Sequence, residues 1–319
     1  MKQFLIDVPV LILFFNNPGR LKRVFEQVKL ARPSELFLYQ DGPRNDSDLA
    51  GIHACREIVS DIDWDCTVHR MYQTQNYGCD PSEYISQKWA FSMVDKCVIL
   101  EDDDVPAVTF FQFCKELLDK YEHDERITMI AGLNHDEITE DCPNSYLFTR
   151  NISIWGWATW KRVVDRWDEN YSFLDDDYAR KKFAQMIHFD NLKKDMLNLA
   201  QQRRDKGVPY YESIHMCNML MNSGLSIVPQ KNMIVNIGFQ NGVHSAGDIS
   251  LHAKPIREIY LMDKHEMSFP MKHPQYVFED VEYRKRVFKR MGWNSPMTFW
   301  GRRIVRHLKM IVRYITKKT

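Results

Sequence analysis

Residues 98–106 read VILEDDDVP. An apolar run stops, and four carboxylates follow at once: Glu101, Asp102, Asp103 and Asp104. An apolar run without polar alternation suits a strand covered on both faces, the condition of strands in a parallel sheet. In open α/β sheets ligands bind beyond the carboxyl ends of the strands, where these acids stand. Four adjacent carboxylates repel one another, and a bound divalent cation relieves that repulsion. Mn²⁺ or Mg²⁺ accepts one or two carboxylate oxygens and keeps positions open for phosphate oxygens. The stretch therefore reads as a strand end built for a metal–diphosphate group.

Working outward, the chain toward the N-terminus alternates short apolar runs with helical patterns. Val8 to Phe15 reads as a buried strand, and Pro18-Gly19 opens a helix with Leu21, Val24, Phe25 and Val28 on one face. A second strand, Glu35 to Gln40, ends at Asp41-Gly42-Pro43, a turn signal. A helix to about Ser60, a strand over 65–71, a helix over 81–94 and a strand over 96–100 complete the first hundred residues. This alternation predicts an α/β fold with a mainly parallel, doubly wound sheet. No G-x-G-x-x-G follows the first strand, so a nicotinamide dehydrogenase is not expected. On the C-terminal side come a helix over 110–121, a strand over 127–131, the aromatic block ISIWGWATWKR, and a polar helical stretch over 175–206. Short strand-like pieces with glycine turns are expected over 207–250. The division is 1–105 and 106–250 as two halves of one domain (the nucleotide-sugar half and the acceptor half, on the resemblance given below), 251–283 as connector and 284–319 as basic tail.

The chain has 319 residues, with 43 Lys and Arg against 43 Asp and Glu. The balance hides an asymmetry, since residues 284–319 hold twelve basic and no acidic residues. The other 283 residues carry a net charge of −12, and the zero net charge of the whole chain gives no reason to expect generic nucleic-acid binding. Seven scattered cysteines show no metal-type spacing, and the apolar run near the N-terminus is too short to span a bilayer. The expectation is a reduced, cytoplasmic protein.

Three other strand ends offer polar groups to the same edge: Asn16 and Asn17, Asp41, and Asn76 in Asn76-Tyr77-Gly78. Asp41 could accept from a base N–H or a ribose hydroxyl, and Asn76 could contact the nucleotide. In the aromatic block, Trp155 and Trp157 flank Gly156 and could form a floor under a sugar.

The segments PVLILFFNNPGRLKRVFEQV, LFLYQDGPR, WAFSMVDKCVILEDDDVPAVTFFQFC and ISIWGWATWKR resemble bacterial sugar transferases of the GT-A fold. These are related to the N-acetylglucosaminyltransferase I group, whose acidic signature is E-D-D after an apolar strand. The resemblance implies a nucleotide-diphosphate-sugar donor, a divalent metal and inversion at the sugar carbon. It places the triplet on Glu101, Asp102 and Asp103, with Asp103 on the metal and Glu101 and Asp102 facing sugar and ribose. It gives Asp41 the uracil contact. The catalytic base, an Asp after an aromatic residue in that group, falls on Glu212 after Tyr211. The glycine-rich loop that closes over the donor falls on NIGFQNGVHSAG, with His244 as a metal or diphosphate ligand. Two positions differ from the group: Asn17 stands where an Arg is frequent, and Ser86 where eukaryotic relatives have His.

In residues 299–319 apolar positions recur at helical spacing with Arg and Lys mostly off that face. This predicts an interfacial helix on an anionic membrane, which would suit a lipid-linked glycan acceptor, or a helix packed on the acidic body. The function expected is metal-dependent, inverting glycosyl transfer from a UDP-sugar to a glycan or lipid-linked hydroxyl. The alternatives are a non-catalytic sugar-binding scaffold and, because Asp102-Asp103-Asp104 contains D-x-D, an aspartyl phosphatase.

Overall fold

The structure is a computed structural model that describes residues 2–187, 190–238 and 254–292. In chain order its elements are β1 (Ile6–Phe14), α1 (Pro18–Ala31), β2 (Pro33–Gln40), α2 (Leu49–Ser60), β3 (Thr67–Tyr72), α3 (Cys79–Phe91) and β4 (Lys96–Glu101). There follow β5 (Asp104–Pro106), α4 (Thr109–Lys120), β6 (Ile127–Ala131), β7 (Tyr146–Thr149), β8 (Trp157–Trp160), α5 (Lys161–Val164), α6 (Asp177–Met186) and α7 (Asp190–Lys206). The last are α8 (Tyr211–Met221), β9 (Leu225–Pro229), β10 (Ile234–Asn236), α9 (Lys254–Tyr260) and α10 (Val281–Arg290).

Eight of these strands form one sheet in the order β3-β2-β1-β4-β8-β6-β9-β7. The first four run parallel, β8 is antiparallel to both its neighbours, β9 is parallel to β6, and β7 is antiparallel to β9. The fold class expected from the sequence is therefore the one observed: a mainly parallel α/β sheet wound on both sides. Val10, Ile12, Leu36, Leu38, Val98 and Leu100 face a core shared with α1, α2 and α4. Leu11, Leu13, Phe37, Tyr39, Cys97 and Ile99 face a second core under α3 and α5 to α8. Two covered faces are why these strands carry apolar residues at every position.

Register lines up the strand ends. Leu13 is opposite Glu101, Phe14 opposite Gln40, and Gln40 opposite Tyr72. The chain leaving each strand thus emerges at one edge. β5 and β10 form a separate antiparallel pair with Asn236 opposite Asp104, which folds the segment before residue 239 back over that edge.

Two stretches differ from expectation. Residues 211–221, expected as strand-like pieces, form α8. Eight of its eleven residues are buried, including Ser213, His215 and Asn218. A helix enclosed nearly all round has no polar face, so its period is hidden in the sequence. The boundary at 283/284 falls inside α10, which is docked on the body. Tyr283 and Val287 pack with Leu147 and Val228, and Arg286 pairs with Asp136 at 2.8 Å and Asp141 at 3.0 Å. The connector contributes too: Glu266 accepts from the backbone N–H groups of Val108 and Thr109 and caps α4. Among the described residues, no helix is long and apolar enough to cross a membrane.

Candidate active site

The four acids after β4 separate into different roles. Asp104 is buried and structural. Its Oδ2 accepts from the Gly156 N–H at 2.8 Å and the Glu101 N–H at 3.4 Å, and its Oδ1 accepts from Asn236 at 3.1 Å. It ties β5, the turn before β8 and β10 to the end of β4. Burial, then the charge of Asp103, pushes its carboxyl well above the usual range.

Asp103 lies further out. Its Oδ1 accepts from Asn236 Nδ2 at 2.8 Å, and its carbonyl accepts from Ile237 N–H at 2.9 Å. Arg20, in the first turn of α1, brings a guanidinium to 4.0 Å from Oδ2. Gly238 approaches so closely that a Cβ there would stand 1.9 Å from Asp103 Oδ2. Asp102 turns the other way and accepts from Phe15 N–H at 3.3 Å. Burial, then Asp103, pushes its carboxyl up to about 7. Glu101 is held well above the usual range by burial, then by Glu83, Asp104, Asp103 and Glu212.

The structure therefore brings Glu101 and Asp103 together with Glu212, and adds a carboxyl that sequence reasoning missed. Glu83, in α3, is 6% exposed. Cys79 Sγ donates to its Oε1 at 3.2 Å, while Oε2 is buried without a partner. Burial, followed by the charge of Glu212, pushes its carboxyl up to about 8. A signal existed in the sequence: Glu83, Ser86 and Gln87 are polar residues on the inward face of a helix, where core residues would be apolar. Glu212 occupies the first turn of α8 and accepts from the Tyr210 hydroxyl. Burial raises its carboxyl to about 7, against the lowering effect of that hydrogen bond. Arg203 pairs with Asp80 beside it and lies over the Tyr210 ring, 4.2 Å from its centroid. Several acids thus share one partly dry site with less positive charge than they need.

Carboxylate oxygens are the ligand type that suits Mg²⁺ or Mn²⁺, but those of Glu101, Asp102 and Asp103 do not all lie within 4.8 Å of one another, which leaves Asp103 as the outward-lying candidate ligand. Among the described residues, the group whose ligand atoms do lie within 4.8 Å of one another is Cys79, Asp80 and Glu83. It fits a metal less well, because Asp80 is engaged by Arg203 and the Cys79 thiol is pushed far up by burial and then by Glu83.

Other expected contacts take structural form. Asp41 accepts four hydrogen bonds, from Gly42 N–H, Tyr77 N–H, Gly78 N–H and Asn76 Nδ2, all at 2.8–2.9 Å. A carboxylate offers about four acceptor positions, so none is left for a base. Asp41 and Asn76 together shape the loop between β3 and α3. Gly42 is required there, since a Cβ would stand 2.4 Å from the Gln75 carbonyl oxygen. Asn17 caps α1 through Arg20 N–H at 3.1 Å, and Asn16 donates to Asp48 at 2.6 Å. Arg44 also binds Asp48 and, with Asn16, holds its carboxyl down at about 2.

Trp157 is not a floor for a sugar. It is fully buried, parallel to Tyr211 with centroids 5.9 Å apart. Gly156 has φ +55°, and a Cβ there would stand 2.5 Å from Ile234. Trp155 is the accessible member of the block. It packs on Tyr260 at 4.7 Å, and Tyr260 is close enough for Asp103 and Asp104, after burial, to raise its hydroxyl. His244 lies outside the described residues, as do residues 299–319.

No protein-family model matches the chain, and no curated protein is significantly similar to it. Among solved structures, a putative glucose-1-phosphate thymidylyltransferase from Bacillus anthracis aligns at 9% identity and a TM-score of 0.30, over 50% of this chain and 73% of that one. A 4-diphosphocytidyl-2C-methyl-D-erythritol synthase from Anaerococcus prevotii aligns at 10% identity and a TM-score of 0.29, over 54% of this chain and 77% of that one. Overlap at this level carries no information about activity.

Proposed function

We propose that the chain is a divalent-metal-dependent, inverting glycosyltransferase that uses a nucleotide-diphosphate-sugar, with UDP-sugar as the first donor to test. The observation that carries the reading is the pairing of two features at one sheet edge. Acidic side chains follow β4, and Glu212, an enclosed carboxyl with a pKa raised to about 7, lies near enough to Glu101 from α8 to help raise that carboxyl too. A general base works best when its pKa lies near the operating pH.

In this reading Glu212 removes the proton of the acceptor hydroxyl, the acceptor oxygen bonds to the sugar carbon, and the carbon–phosphate-oxygen bond breaks with its electron pair leaving on the nucleoside diphosphate. Mn²⁺ or Mg²⁺ at Asp103 would offset the charge that develops on the departing diphosphate. Asn236 orients the Asp103 carboxylate, and Tyr210 orients that of Glu212. Glu101 and Asp102 face sugar and ribose. Asp41 and Asn76 act through the loop they hold, and Trp155 with Tyr260 replaces the tryptophan pair as sugar platform. His244 is kept as a candidate diphosphate ligand on sequence grounds alone, and the acceptor is a glycan or lipid-linked hydroxyl.

UDP with Mn²⁺ is expected to raise the melting temperature, with Mn²⁺ alone having little effect. Asp103→Asn should remove the nucleotide-dependent shift; a full shift in that variant places the metal elsewhere. Glu212→Gln should bind UDP and Mn²⁺ normally and transfer no sugar. Transfer at the normal rate by Glu212→Gln overturns the base assignment.

A further inference from the structure

A second cavity, of about 120 Å³, lies away from the acids and is lined by none of the residues that form the candidate active site. Met186, Met196, Met216 and Met291 line its apolar part. Methionine surfaces are flexible and polarizable, and they adapt to chains and rings of varied shape. A volume this small does not hold a nucleotide, whose sites run to several hundred Å³, and a methionine wall leaves the hydroxyls of a sugar without partners.

The polar part is specific. Asn151 is 7% exposed, lines the cavity, and has neither its Nδ2 nor its Oδ1 hydrogen-bonded. A buried amide with both atoms unpartnered costs stability, so a partner from outside the chain is the economical explanation. Charge is equally one-sided, since among the described lining residues the ionised groups are Arg150 and Arg284, with no Asp or Glu. These two arginines share the single carboxylate of Glu279 behind them, at 3.8 and 2.8 Å. His135 also lines the wall, and burial lowers its pKa to about 4, so it adds no positive charge at neutral pH.

We propose that this cavity binds a small anionic amphiphile, a short aliphatic chain ending in a carboxylate. The chain lies among the methionines, the carboxylate meets Arg150 and Arg284 and accepts from Asn151 Nδ2, and Asn151 Oδ1 takes a water carried with the head group.

Octanoate is the probe, titrated calorimetrically into the full chain beside octan-1-ol and octylamine. Octanoate is expected to bind at one site, octan-1-ol about tenfold more weakly for want of the charged hydrogen bonds, and octylamine not at all. Asn151→Leu should weaken octanoate binding by about tenfold without lowering the melting temperature, because the amide it removes has no partner in the free protein. Met216→Trp, which fills the apolar part, should abolish binding. Equal binding of octanoate and octylamine, unchanged binding by Met216→Trp, or no octanoate binding by the full chain overturns the proposal.

Discussion

Side chains that look alike in sequence do opposite things here because their surroundings differ. Four consecutive acids end one strand, yet Asp104 is a buried brace while Asp103 lies against Gly238 and Arg20. Glu83 gives this contrast a measurable consequence. Its carboxyl is at about 8 when folded, against an ordinary value of 4.5. A raised pKa means that stability is fully present below pH 4.5 and is lost as pH rises toward 8. Glu212, raised to about 7, acts in the same direction over the lower part of that window. Glu83→Gln is therefore expected to flatten the fall in stability across this range. At pH 8 the variant should be more stable than the parent by on the order of 2 kcal/mol. Denaturant titrations at pH 5 and pH 8 check it, and an unchanged pH dependence would show that Glu83 stays ionised without penalty.

At the level of elements, helices are the part that sequence reading located least evenly. α1 and α4 show clear apolar stripes because one side of each faces solvent. α8 has no such stripe, being enclosed, and its start sets the position of Glu212. α10 is amphipathic and basic, which in isolation suits a membrane surface as well as a protein body. The structure docks it through Tyr283, whose hydroxyl accepts from the His135 N–H at 3.1 Å. Tyr283→Ala is expected to cost about 3–5 kcal/mol, the range for emptying a buried aromatic site. Unfolding at the same denaturant midpoint as the parent would show that α10 is not part of the cooperative core.

Taken whole, the molecule concentrates acidic groups at one sheet edge, while the basic excess belongs to its last 36 residues. The arginines at 284, 286 and 290 pair with Glu279, Asp136, Asp141 and the His135 carbonyl. Of these, Arg286 meets two carboxylates of the body, whereas Arg284 shares Glu279 with Arg150 and Arg290 meets a carbonyl. Residues 299–319 retain seven Lys and Arg. If that stretch docks on anionic lipid, removing all residues after 298 should abolish sedimentation with phosphatidylserine-containing vesicles. Sedimentation should also fall steeply with salt in the full chain. Sedimentation unaffected by the deletion refutes membrane docking through this segment.

By itself the sequence determined the doubly wound sheet, the alignment of its strand ends at one edge, and the acidic turn after β4. Those features rest on apolar runs and helical spacing, which are local and survive in a linear string. Only the tertiary structure decided which polar groups are accessible and which are consumed. Asp41 and Asn17 are taken up by backbone N–H groups, Trp157 is sealed under Tyr211, and Glu83 is buried beside Glu212, which comes from a helix distant in sequence. The physical reason is that hydrogen-bond saturation and desolvation depend on neighbours brought together through space, and a residue's type and spacing do not encode them.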